Sequence, residues 1–179
     1  MGNVTRLLLL LPAMVIGCRA SGALPDAGPL VSVPELDLER YLGTWYEIAK
    51  YPVSFEKGLV GVTARYSMRD DGKVRVENAG YKGSFEGERK TATGKAWIPN
   101  PKRPGELKVS FFWLFAAKYW VIALDPEYRW SIVGEPGRRY LWILSRKPAM
   151  DDALYQRLVT KVRELGYDPG RLEAMPQRP

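Results

Sequence analysis

The sequence predicts an all-β fold, an eight-stranded antiparallel up-and-down barrel with one C-terminal α-helix packed on its outside. Three observations predict it. Eight short segments rich in β-branched and aromatic residues follow one another between residues 40 and 145, most of them joined by tight turn signals. An amphipathic helical pattern comes only after the eighth segment, and its apolar residues share one face. The chain has 179 residues, which suits one domain with a core or a small internal cavity. An evenly spaced meander of eight strands closes on itself and leaves no open edge.

In chain order, residues 7–16 form an apolar run behind Arg6, too short to span a bilayer but suited to the core of an export signal. The run ends in Val15-Ile16-Gly17-Cys18, which resembles the bacterial lipobox, where signal peptidase cuts before a cysteine that then carries diacylglyceride and an acyl chain. The resemblance implies a signal peptide over residues 1–17 and lipidation of Cys18. Arg19 rather than Asp follows the cysteine, which by the same resemblance implies the outer membrane of a bacterial envelope. Several acyl chains on one residue anchor stably, since each buried methylene contributes ~0.8 kcal/mol. Residues 18–33, with Gly22, Pro25, Gly28 and Pro29, read as a flexible tether.

The domain proper is expected over residues 34–170. Pro34 suits the start of a short helical turn whose Leu38 and Leu42 are helically spaced. Gly43 then lets the chain bend into the opening strand, residues 43–50, where alternation puts Trp45, Glu47 and Ala49 on one face. Residues 51–59, with Pro52, Phe55 and Gly58, break the pattern and read as a loop across an open end. Strands follow at 62–67 and 74–78, joined by the hairpin signal Asp70-Asp71-Gly72, and at 91–98, closed by Pro99-Asn100-Pro101. Four more are expected at 106–112, 119–124, 130–133 and 140–145. In the helix, Asp151 caps the start, Leu154, Leu158, Val162 and Leu165 share a face, and Gly166 ends it. Residues 169–179, including the tail from 171, are expected to have little regular structure.

In register with Trp45, the inward candidates are Ala64, Tyr66, Val76, Asn78, Ala92, Ala96, Val109, Phe111, Tyr119, Val121, Ala123, Tyr140 and Trp142, together with Glu47 and Ala49. Small alanines beside aromatics make a wide, largely apolar lumen that suits an acyl chain. A barrel packed solid is the other reading, and the residues leave both open. No histidine is present, the one cysteine belongs to the signal, and neither a Gly-x-Ser-x-Gly elbow nor a phosphate loop occurs. Zinc held by His or Cys is excluded, no metal or cofactor is expected, and the chain reads as a non-enzyme. Glu47 is the one acid placed to do chemistry or touch a ligand; the competing reading is a buried carboxylate held by an internal partner. The net charge of +7 is spread over strands and turns rather than run together, which points to a surface tolerant of anionic lipid and not to nucleic acid.

Three stretches in order resemble the lipocalin family, in its bacterial, apolipoprotein D-like branch: Gly43-Thr44-Trp45-Tyr46, then Leu124-Asp125-Pro126-Glu127-Tyr128-Arg129-Trp130, then Leu144-Ser145-Arg146. The second departs from the pattern, since Pro126 stands where the family has tyrosine, and the disulfides of many animal members are missing. The resemblance implies that Arg146 stacks on Trp45 at a closed end next to Gly43, and that Phe55 and Leu59 lie near an open mouth. It also implies a carrier of fatty acid or lysophospholipid, tied to the membrane through its anchor, and it allows a homodimer. Lys118, Arg138 and Arg139 are candidates to attract a phosphate head. An enzyme on the same scaffold and an envelope protein with a filled barrel are the alternatives.

Overall fold

The computed structural model of the protein describes residues 27–112 and 115–178, so the expected signal, Cys18 and most of the tether lie outside the described residues. The expected strands form, several of them longer than the sequence pattern indicates. They are β1 (Gly43–Lys50), β2 (Leu59–Met68), β3 (Val74–Lys82), β4 (Arg89–Trp97), β5 (Glu106–Phe112), β6 (Phe115–Leu124), β7 (Trp130–Gly134) and β8 (Leu141–Ser145). Each pairs antiparallel with the next, and β1 pairs with both β8 and β2, which closes the barrel. The turn after β2 uses Gly72 at φ +73°, and the Asp71 carboxylate accepts from the Lys73 amide at 3.2 Å.

Before β1, helix α1 (Leu38–Tyr41) spans a single turn. Asp37 caps it by accepting from the Arg40 amide, so the turn starts later than Pro34. After β8, helix α2 (Asp152–Glu164) is capped by Asp151, whose carboxylate accepts from the Leu154 amide at 3.1 Å, and Gly166 leaves it at φ +79°. Leu158 and Val162 bury its stripe, with Leu154 and Leu165 at the edge, against the outer face of the wall made by Ile122, Ile132, Leu141 and Ile143. A second cluster fills the barrel's narrow end, with Trp45, Tyr66, Val76, Ala96, Leu107, Val121 and Leu144 at its centre.

The tail corrects the expectation of little regular structure. Residues Glu173–Ala174 form β9, which pairs with Lys50 and Ala49 of β1. The physical reason lies in β1 itself. Its ladder with β2 runs only from Gly43↔Tyr66 to Tyr46↔Thr63, leaving the upper half of β1 without a partner on that side. The chain's end fills the gap. The Met175 amide donates to Ile48 O at 2.9 Å, the Gly61 amide to Pro176 O at 2.8 Å, and Gln177 Nε2 donates to both Glu47 O and Val62 O at 2.8 Å. Those are backbone groups that would otherwise be left unpaired between two strands.

Candidate functional site

Strand directions set the two ends of the barrel. β1 leaves the closed end at Gly43 and reaches the open end at Lys50, so the segment 51–58 and the far ends of β3, β5 and β7 lie at the rim. At the closed end, Trp45 is fully buried and the Arg146 guanidinium carbon sits 3.8 Å from its ring centroid. A shielded stack of this kind contributes about 1 to 2 kcal/mol. Arg146 also donates to the carbonyls of Arg40 at 2.6 Å, Thr44 at 3.0 Å and Tyr128 at 3.3 Å, tying α1, β1 and the β6–β7 turn together. Gly43, at φ +92°, keeps that space: a Cβ there would meet Arg146 Nη1 at 3.3 Å. Pro126 does not disturb the turn, because the Asp125 carboxylate accepts from the Arg129 amide and from its guanidinium, at 2.7 Å from Nε. That pairing holds the Asp125 carboxyl below its usual range.

Above this plug the barrel is hollow. A cavity of about 530 Å³ opens at the rim, in the range of small-molecule sites. Its floor is polar: the Tyr119 hydroxyl bonds those of Tyr41 at 3.0 Å and Tyr66 at 2.9 Å, and Tyr41 continues to Ser131 Oγ at 3.1 Å. Burial pushes the Tyr41 phenol up to about 12 and drives Tyr66 and Tyr119 upward too, so all three are neutral donors and acceptors. The walls are mainly apolar, from Val62, Ala64, Val76, Ala96, Leu107 and Val109.

Twelve of the fourteen residues expected to face a ligand lie on this cavity: Glu47, Phe55, Ala64, Tyr66, Val76, Asn78, Ala92, Val109, Phe111, Tyr119, Tyr140 and Trp142. Ala49 does not. The β1–β8 register shifts between Glu47 and Ala49, which breaks the alternation at Ile48 and turns Ala49 outward into the core beneath α2. Val121 stays inside but packs in the plug with Trp45 and Leu107, outside the cavity lining. A second register shift, between Val121 and Ala123, sends Ala123 to the outer core. Among the basic candidates, Lys118 lines the cavity, whereas Arg138 is occupied elsewhere, donating from Nε to Leu165 O at 2.8 Å past the end of α2. Arg139 lies over the Tyr140 ring at the rim, 5.7 Å from its centroid.

Sequence reasoning missed Glu56. It sits in the 3-10 turn Ser54–Glu56, in a loop whose sequence shows no periodicity, yet it is only 6% exposed and lines the cavity. Its neighbour Phe55, 65% exposed, and Phe115, 77% exposed, line the cavity at its open rim. Glu47 is 4% exposed. Burial first, then the Glu56 charge, raises the Glu47 carboxyl well above its ordinary value. The Glu56 carboxyl is raised by burial, against the pull of Lys50 and hydrogen bonds from Glu47 and Trp142. Lys50, brought inward by the bulge, is paired with Glu173 Oε2 at 3.0 Å.

A family model described as Lipocalin-like domain matches residues 36–177. Over 159 residues the chain is 45% identical to the outer membrane lipoprotein Blc of Citrobacter freundii, covering 89% of this chain and 88% of that protein. It is 37% identical to bovine apolipoprotein D (Bos taurus) over 152 residues, covering 79% of each. Among solved structures, insecticyanin from the tobacco hornworm Manduca sexta superposes with a TM-score of 0.64 at 22% identity, covering 88% of this chain and 87% of that one.

Proposed function

The chain belongs to the lipocalin family, and on that premise we propose that it is a carrier that holds a fatty acid, a lysophospholipid or a similar single-chain hydrophobe inside the barrel. The observation that carries this reading is the cavity itself, apolar along its walls, sealed at one end by Trp45 and Arg146, and open at the other. A hollow interior replaces the filled barrel that the sequence left open. An acyl chain buried against these walls gains about 0.8 kcal/mol per methylene, which suffices for micromolar binding once ordering costs are met.

The proposal places the carrier at the outer membrane of a bacterial envelope, anchored through lipidated Cys18 after removal of residues 1–17. The lipobox-like run and the similarity to the outer membrane lipoprotein of Citrobacter freundii support this placement. Retained lipid and a triacylated Cys18 in the native mass spectrum of protein extracted from its own membrane would test it, and the same spectrum reads self-association.

The direct test of binding is titration of the delipidated full chain with palmitate and with palmitoyl lysophospholipids. Saturation at micromolar concentration is expected; failure of every ligand to saturate overturns the carrier reading. An enzyme on this scaffold needs an acid or base at the ligand, and Glu47 is the group placed for it. Product formation that Glu47→Gln abolishes while binding persists would select the enzyme instead.

A further inference from the structure

Three buried side-chain oxygens have no conventional donor among the described residues: Glu47 Oε1, Glu56 Oε2 and Asn78 Oδ1. All three residues line the one cavity, and they reach it from three elements: the upper half of β1, the 3-10 turn over the mouth, and β3. Each offers an acceptor. Glu47 and Glu56 are close enough that each perturbs the other's carboxyl, and buried acceptors of this kind call for a donor.

From this placement we infer that Glu47, Glu56 and Asn78 form a recognition site in the lumen for a hydrogen-bond-donating cation, the primary ammonium of a single-chain lipid's headgroup. The inference deepens the carrier reading and rests on it. An ammonium brings donors and a fixed positive charge to these unpartnered acceptors. A free fatty-acid carboxylate does the reverse, since it brings acceptors and negative charge against two carboxyls. Neighbouring charges leave the site acidic. Lys50 lies close to both carboxyls but is held by Glu173, the Trp142 indole faces Glu56, and Tyr66 below is neutral. The cations that line the cavity among the described residues are Lys90 and Lys118, on β4 and β6.

Binding is then an exchange. The ammonium enters, Glu47 ionises, and its proton leaves to the buffer, so affinity rises with pH until the amine itself deprotonates.

The test is isothermal titration calorimetry of the delipidated full chain with palmitoyl lysophosphatidylethanolamine, lysophosphatidylcholine, lysophosphatidylglycerol and palmitate, each in two buffers of different ionisation enthalpy. The ethanolamine lipid is expected to bind about tenfold more tightly than the choline and glycerol lipids, as a charge-assisted hydrogen bond provides, and to release a proton. In Glu47→Gln the proton release disappears and the ratio of ethanolamine-lipid to choline-lipid affinity falls to about one. If that variant does not fold, Glu56→Gln carries the same expectation. Equal affinities without proton release, a preference for the glycerol lipid, or an unchanged preference in the folded variants would each overturn the inference and leave the carrier reading standing. Failure of all four ligands to bind would overturn both.

Discussion

Two residues on one face of β1, Trp45 and Glu47, divide the work of the barrel between them. Trp45 is a plug: with the indole gone, Arg146 loses its platform and the closed end gains a void. Trp45→Ala is expected to lower stability by about 3 to 5 kcal/mol in urea unfolding, as large-to-small changes at buried aromatics do. A variant as stable as the parent that has lost ligand binding would place Trp45 at the wrong end. Glu47 stabilises conditionally. Its carboxyl is raised above the ordinary 4.5, so its contribution is complete below that value and is lost as pH rises through the folded one. Glutamine mimics the protonated acid. Glu47→Gln should therefore match the parent near pH 4 and exceed it increasingly as pH rises, read as a flatter slope in a pH series of urea midpoints. Parallel slopes would show that Glu47 is ionised in the folded protein.

At the scale of elements, the caps behave as local chemistry dictates. Removing the Asp151 carboxylate leaves the Leu154 amide unmatched, and Asp151→Ala should cost about 1 kcal/mol in thermal unfolding without changing ligand affinity. That same locality explains what was legible in the sequence. The Asp71-Gly72 turn, the capped helix with its Leu158 and Val162 stripe, and the inward set Ala64, Tyr66, Val76 and Asn78 follow from turn preference and simple alternation. What alternation cannot carry is a bulge. Nothing in Glu47-Ile48-Ala49-Lys50 marks the extra residue that turns Ala49 outward and brings Lys50 in, because it is fixed by pairing with β8. Glu56 was illegible for a related reason: a charged residue in an irregular loop reads as solvated, and only the fold over the mouth buries it. β9 is two residues long, shorter than any pattern can signal.

For the whole molecule, two ladders of the barrel wall stop short of the mouth: β4 pairs with β5 only from Lys95 to Trp97, and β1 pairs with β2 only from Gly43 to Tyr46, and it is this second line that the chain's end covers. Below Tyr46 and Thr63 a ladder closes that line; above them the closure depends on β9, Met175, Pro176 and Gln177. Deleting residues 173–178 should leave the plug and α2 in place while lowering the melting temperature and weakening lipid binding; unchanged affinity would show that the seam plays no part in holding the cavity's shape. The seam also makes the wall uneven in compliance. Widening the mouth between β2 and β3 or between β3 and β4 requires a strand ladder to break, whereas here one amide side chain and a few backbone bonds at the end of the chain give way. Hydrogen exchange should find the Gly61 and Met175 amides opening well ahead of those in the β6–β7 ladder, and ligand-bound protein should slow them. On the carrier reading, this seam is where the rim is expected to spread for a headgroup bulkier than its resting aperture, while the end sealed by Trp45 and Arg146 stays closed.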